Sequence, residues 1–168
     1  RDILNSIDMN GVIVIGEGEK DDAPWLANGE RVGNGKGPEV DVAVDPVDGT
    51  TLTSHGMPGA LAVIALAERG SMYSPGSLVY MDKIAVGPES AGLVDLDAPV
   101  AVNLNRIATA KGMGVHDLTA IILDRPRNVP YIEAVRAEGA RIRLIQDGDV
   151  SAAISTARET SGIDVLFG

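Results

Sequence analysis

The chain has no cysteine and only two histidines, His55 and His116, in 168 residues. Disulfides and thiolate chemistry are thereby excluded, and a zinc centre built on cysteine or clustered histidine is disfavoured. Basic residues are also few, 14 Lys and Arg against 24 Asp and Glu, for a formal charge of -10. A nucleic acid or an anionic membrane needs a basic face, so neither is expected as a partner. An anionic ligand, by the same reasoning, calls for metal ions to offset the protein's own charge. Long apolar runs are missing too. The longest, Ala60 to Ala67, falls well short of the ~20 residues that span a bilayer, and no signal peptide opens the sequence. The reading is a soluble, cytoplasmic protein.

What is present points to mixed α and β structure. A hydrophobic content of 45% is enough for a sizeable core, as one domain or as parts of two, and 20 glycines with 9 prolines require many turns. Apolar residues at Ile3, Leu4 and Ile7 have helical spacing directly after Arg1, with no N-cap, and Ile163 to Phe167 reads as a buried strand just before Gly168. Both ends therefore look cut, as in an internal fragment of a longer protein.

The most informative stretch is Asp41-Val42-Ala43-Val44-Asp45-Pro46-Val47-Asp48-Gly49-Thr50-Thr51. Val42 and Val44 favour a strand, and Pro46, lacking a backbone donor, is expected to end it and set Asp45 and Asp48 on a rigid bend. Two acids so close repel unless a cation lies between them, and oxygen-only ligands suit Mg²⁺ or Mn²⁺. The alternative is a solvated, Asp-rich turn. A second acidic turn, Gly16-Glu17-Gly18-Glu19, follows a predicted strand over Val12 to Ile15. It is either an exposed turn or, if the two strands are neighbours, a second contributor to one metal cluster. Between the two, Lys20 to Pro38 is polar, with Gly33, Gly35 and Gly37 alternating, and reads as a plain surface loop or a flexible lid. Thr50, directly after Gly49, opens a helical turn whose free N–H groups could take phosphate oxygens.

Further along, Leu61 to Leu66 and Leu78 to Val86 read as strands, the latter with Tyr80 near its start and Lys83 within it. A helix is expected after Pro99, because Val100, Leu104, Ile107 and Ala108 share a face, and Gly112 and Gly114 close it. The character of the chain then changes at about residue 117, giving an expected division into 1–117, with the acidic turns, and 118–168. The second part reads strand Thr119 to Leu123, helix Tyr131 to Glu138, strand Ile142 to Ile145, helix Val150 to Arg158, strand Ile163 to Phe167. Such a βαβαβ order calls for a parallel sheet with right-handed crossovers, and ligands of such sheets bind beyond the carboxyl ends of the strands. Those ends carry Asp124-Arg125-Pro126-Arg127 and Asp147-Gly148-Asp149. Two arginines can grip a phosphate and two aspartates can accept from sugar hydroxyls, or these residues are strand and helix caps.

Taken together, the bend at Asp45 to Thr51 resembles the signature of the lithium-sensitive, metal-dependent sugar phosphatase superfamily, which includes inositol monophosphatases and fructose-1,6-bisphosphatases. Within it, Gly11 to Glu19, the run from Tyr80 to Pro88, and Ile122-Leu123-Asp124-Arg125-Pro126-Arg127 resemble bacterial class II fructose-1,6-bisphosphatase. The resemblance implies a layered αβαβα sandwich, here partial, and hydrolysis of fructose 1,6-bisphosphate to fructose 6-phosphate, a gluconeogenic step. It implies Glu17, Asp45 and Asp48 as ligands of Mn²⁺ or Mg²⁺, with Thr50 helping to activate water and Asp48 beside it in the reaction. Asp48, Gly49, Thr50, Tyr80, Arg125, Arg127, Asp147 and Asp149 match positions that hold the sugar bisphosphate. A homo-oligomer is implied for the full-length protein. Many members carry Glu where this chain has Asp48, and the family has a further metal-site Asp upstream of Arg1 and a Glu downstream of Gly168. Related substrates, sedoheptulose bisphosphate or an inositol phosphate, remain open, as does a non-catalytic module using the acids as a structural Ca²⁺ site.

Overall fold

The computed structural model describes residues 2–17, 26–76, 78 and 80–168. The chain forms two compact units, one of Arg1–Asp48 and Ala62–Val79, the other of Gly49–Leu61 and Tyr80–Gly168. Gly18 and Glu19 of the first acidic turn, and the start of the glycine-rich excursion to residue 25, lie outside the described residues.

In the first unit a short helix, α1 (Asp2–Asn5), leads into β1 (Asn10–Ile15), β2 (Arg31–Val32), β3 (Glu39–Asp48) and β4 (Leu61–Glu68). These strands form one sheet in the order β2-β1-β3-β4. β1 and β3 are parallel neighbours, with Ile13 opposite Val42 and Ile15 opposite Ala43. Period-two alternation turns Gly11 and Ile13 inward, where Ile13 meets Met9, Leu26, Val32 and Val42 in a small core. Asp41 is buried beside it, and its charge is compensated rather than free. Its Oδ2 accepts from the backbone N–H of Gly70 at 2.7 Å and of Met72 at 3.2 Å, and the Arg69 guanidinium lies 3.4 Å from Oδ1.

One expectation changes in this unit, and one alternative is set aside. Pro46 does not end its strand, since β3 continues to Asp48. Pairing with β1 stops at Ala43, so no ladder bond on that side is asked of the proline nitrogen. The excursion before Pro38, over its described part, is tied down rather than lid-like. Asn34 N–H donates to Ile7 O at 3.0 Å and Gly35 N–H to Met9 O at 3.1 Å, and the Asn34 side chain reaches Asp8. Gly33 has φ 94°, and a Cβ there would lie 2.1 Å from Met9 O, which only glycine avoids.

The second unit contains α2 (Thr50–Ser54), β5 (Ile84–Val86), α3 (Val100–Lys111), β6 (Thr119–Leu123), α4 (Val129–Ala137), β7 (Arg141–Ile145), α5 (Asp149–Thr156) and β8 (Val165–Phe167). Its sheet has the order β5-β8-β6-β7, with β6 parallel to both β7 and β8 and β5 antiparallel to β8. After Thr119, β6 is apolar because both of its faces are covered. Ala120 and Ile122 pack with Leu104 and Ile107 of α3 and with Ile132 and Val135 of α4, while Ile121 faces Ala152 of α5 and Leu166. The unit is thus three layers deep, and each fully buried Leu, Ile or Phe contributes about 1.5–3 kcal/mol. α3 closes at Gly112, in the left-handed conformation at φ 64°.

The expected βαβαβ order and its parallel sheet are found here. The expected strand Leu78 to Val86 is shorter, covering only Ile84–Val86, since its partner β8 has three residues and Ile84 already faces Phe167. Tyr80 and Lys83 therefore precede the strand. β5 pairs with β8, and the compact unit that holds the βαβαβ part comprises Gly49–Leu61 together with Tyr80–Gly168.

Candidate functional site

At the carboxyl ends of β6 and β8 the second unit encloses a cavity of about 230 Å³ lined by Tyr80, Asp82, Lys83, Arg127, Asn128 and Gly168, among others. Its position obeys the rule for parallel sheets, where backbone and loops diverge beyond the strand ends. Local bonding builds it. Asn128, buried, donates from Nδ2 to Leu123 O at 2.9 Å and from its backbone N–H to Arg125 O at 2.9 Å, which folds the Arg-Pro-Arg loop back over the strand end. The Arg127 guanidinium then lies 4.2 Å from the centre of the Tyr80 ring, a cation–π contact that leaves its N–H fork able to meet an anion. Arg125 instead donates from Nη1 to Asp124 O at 3.1 Å, and of the two arginines it is Arg127 that lines the cavity.

The far side of this cavity is set by Asp82 and Lys83. Tyr131 Oη donates to Asp82 Oδ1 at 3.4 Å while its ring stacks on Phe167 with centroids 6.0 Å apart. Burial, and then the charge of Asp82, hold the Tyr131 hydroxyl above its ordinary pKa of 10.0, so it stays protonated near neutrality. Lys83 and Gly168 exchange backbone bonds, N–H to O at 2.5 Å and 3.1 Å, extending the β5–β8 ladder by one pair. From there the Lys83 ammonium reaches Asp149 Oδ2 at 3.0 Å, in the first turn of α5.

Asp147 is engaged by two backbone N–H groups of its own unit. Its Oδ2 accepts from Thr51 N–H at 3.1 Å and its Oδ1 from Gly148 N–H at 3.1 Å, so the carboxylate caps α2 from across the unit. The Thr51 N–H is therefore committed to a protein carboxylate and is not one of the N–H groups of this turn that could take a phosphate oxygen. Gly49 itself has φ 98°, and a Cβ there would sit 3.1 Å from Leu52 Cδ1. Thr50 begins α2 with an exposed side chain.

In the first unit, β1 and β3 pair in parallel as far as Ile15 and Ala43, and Glu17 and Asp45 each follow that last pair by two residues. Asp45 Oδ1 accepts from Val47 N–H at 3.0 Å, and Asp48 is buried at the end of β3. Their donors are all hard oxygens, the chemistry that Mg²⁺ and Mn²⁺ prefer. Among the described residues, no three His, Asp or Glu side chains gather closely enough to hold an ion. The strands are neighbours as the sequence anticipated, and the three carboxylates share one end of them without forming a closed cluster.

Three polar side chains of the cavity were not singled out as site residues from the sequence, Asp82, Lys83 and Asn128. Lys83 sat inside a supposed strand, and Asn128 had only the weak signal of a polar residue just after Pro-Arg and before a helix.

Comparison with known proteins adds an independent line. Residues 1–168 match the family model described as bacterial fructose-1,6-bisphosphatase, glpX-encoded. Fructose-1,6-bisphosphatase 1 class 2 of Escherichia coli (strain K12) is 45% identical over 168 residues, which is 100% of this chain and 50% of the relative. Fructose-1,6-bisphosphatase class 2 of Shigella flexneri gives the same figures, 45% over 168 residues, 100% and 50%. The chain thus spans about half the length of the curated relatives it matches.

Proposed function

Since the chain belongs to the bacterial class 2 fructose-1,6-bisphosphatase family, we propose that the protein containing it hydrolyses fructose 1,6-bisphosphate to fructose 6-phosphate and inorganic phosphate. In this reading it serves gluconeogenesis in the cytoplasm, as a homo-oligomer, with Mn²⁺ or Mg²⁺ as its cofactor. The observation that carries the substrate class is the cavity beyond β6 and β8, where Arg127, stacked on Tyr80, presents a cation to a small polar space that Asp82 and Lys83 also line. A sugar phosphate meets both requirements, an anion for the guanidinium and hydroxyls for the neighbouring carboxylates.

Glu17, Asp45 and Asp48 would hold the divalent ions, which offset the charge of the phosphate and acidify a water. The remaining work falls to the chain's own groups. Thr50 Oγ1 orients the attacking water, and Asp48 takes its proton. Arg127, with Arg125 from the same loop, grips the phosphate that is not cleaved. Asp149 accepts from a sugar hydroxyl, and Asp147, although each of its oxygens already holds a backbone N–H, keeps lone pairs for another.

Phosphate release by the full-length protein from fructose 1,6-bisphosphate, sedoheptulose bisphosphate and an inositol monophosphate, each with Mg²⁺, Mn²⁺ or Ca²⁺, tests this. Turnover of the first substrate with Mg²⁺ or Mn²⁺, lost in Asp45→Asn, is the expected result. Preference for another substrate would reassign the enzyme within its superfamily. Binding without hydrolysis under every ion would leave a non-catalytic module.

A further inference from the structure

We propose that Lys83 is a positioning residue for the sugar bisphosphate site, acting through Asp149; this rests on the hydrolase reading above and adds to it a residue that motif matching did not select. Four observations in the second unit carry it. The Lys83 backbone is clamped on both sides, its N–H and C=O each bonded to Gly168 at the end of β8, so its side chain starts from a fixed point. That side chain passes along Gly168, where a Cβ would lie 3.8 Å from Lys83 Cγ and 3.9 Å from Nζ. Its ammonium ends 3.0 Å from Asp149 Oδ2. Finally, the same residue lines the cavity that holds Tyr80 and Arg127.

A stabilising role alone is a poor account of this pair. Lys83 and Asp149 keep side-chain exposures of 34% and 31%, and ion pairs that open to water contribute little to folding. Orientation is another matter. A carboxylate at the first turn of a helix can swing among rotamers, and an ammonium fixed on one of its oxygens selects the rotamer in which the other meets a ligand hydroxyl. Lys83 thereby ties Gly168, which borders the cavity, to Asp149 at the start of α5. Lysine suits the task because its compact ammonium can satisfy one oxygen without covering both, as the planar fork of an arginine would.

The test uses the full-length protein and its Lys83→Met, Lys83→Arg, Asp149→Asn and Lys83→Met/Asp149→Asn variants, with Mn²⁺ saturating. Steady-state hydrolysis of fructose 1,6-bisphosphate and the thermal midpoint are measured for each. The expected result is a KM raised about tenfold in Lys83→Met with kcat changed less than about twofold, a midpoint near that of the unmodified protein, and partial recovery of KM in Lys83→Arg. In the Asp149→Asn background the Lys83→Met change should raise KM little further, because its effect runs through that carboxylate. Equal KM in Lys83→Met and the unmodified enzyme, or full additivity in the double variant, would overturn the assignment while leaving the hydrolase reading intact. An unmodified full-length protein that does not hydrolyse the substrate would overturn both.

Discussion

Asp147 has two assignments that compete for the same oxygens. It matches a sugar-binding position, yet both carboxylate oxygens already accept backbone N–H groups, from Thr51 and from Gly148. Capping is worth about 0.5–2 kcal/mol when the capping side chain is truncated to alanine. Asp147→Ala is therefore expected to lower unfolding free energy in urea by about 1–2 kcal/mol, independently of any ligand, with Asp147→Asn losing less because its amide oxygen keeps one acceptor. No loss of stability in Asp147→Ala would mean that the cap contributes nothing and that the residue is kept for substrate. This contact could not be read in the sequence. It joins residues 96 apart, and the local pattern at Asp147-Gly148-Asp149 announces only a turn and a helix start. The arginine loop was legible because its chemistry is local, two guanidinium groups at a strand end. Which one enters the cavity depends on the fold of Asn128 beneath them.

Between elements, the second unit depends on a partly buried polar join at the opposite ends of its strands. Lys111, in the last turn of α3, sits 2.6 Å from Asp164 Oδ1, and Asp164 Oδ2 accepts from Thr119 N–H at 2.7 Å at the start of β6. Burial by itself pulls the Lys111 pKa down, but the hydrogen bond and charge of Asp164, with Glu89 behind them, more than reverse it, so the ammonium is held above its ordinary 10.5. With the folded value raised, this pair's contribution is complete below about pH 10.5 and is lost as pH rises through the folded value. Stability should thus fall on the alkaline side of that point, and Lys111→Met should flatten this limb while costing about 1–2 kcal/mol at neutral pH. Denaturant titrations from pH 8 to about 11.5 measure both. The first unit offers a companion case in Gly33. Alanine there needs a left-handed backbone and meets Met9 O at 2.1 Å, so Gly33→Ala should cost about 2–3 kcal/mol. A cost near zero would restore the reading of this segment as a loose lid. Alternating glycines suggested looseness because a sequence shows their freedom and not the carbonyls they are fitted around. The strands β6 and β8 were legible for the opposite reason, since burial on both faces leaves the apolar runs Ala120 to Leu123 and Val165 to Phe167, whereas the exposed β7 shows only Ile142, Leu144 and Ile145 between and after its arginines.

For the molecule as a whole, the chain crosses between its two units three times, after Asp48, Leu61 and Val79, and the first crossing falls inside the Asp45 to Thr51 bend. The bend was read as one rigid element; it is the end of a strand in one unit followed by the first helix of the other. Its acids must be stabilised in a protein that already carries a formal charge of -10. Monovalent salt can only screen that repulsion, whereas an ion bound by Glu17, Asp45 and Asp48 favours the folded state by mass action, about 2.7 kcal/mol when the ion is a hundredfold above its dissociation constant. Thermal midpoints of the full-length protein in MnCl₂ or MgCl₂ should therefore exceed those in NaCl at the same ionic strength, and a chelator should return them to the NaCl value. Asp45→Asn should shrink the difference while leaving the response to NaCl unchanged. Identical midpoints in divalent and monovalent salt would show that the carboxylates at the ends of β1 and β3 bind no ion, and would remove metal assistance from the proposed hydrolysis whatever the activity of the protein.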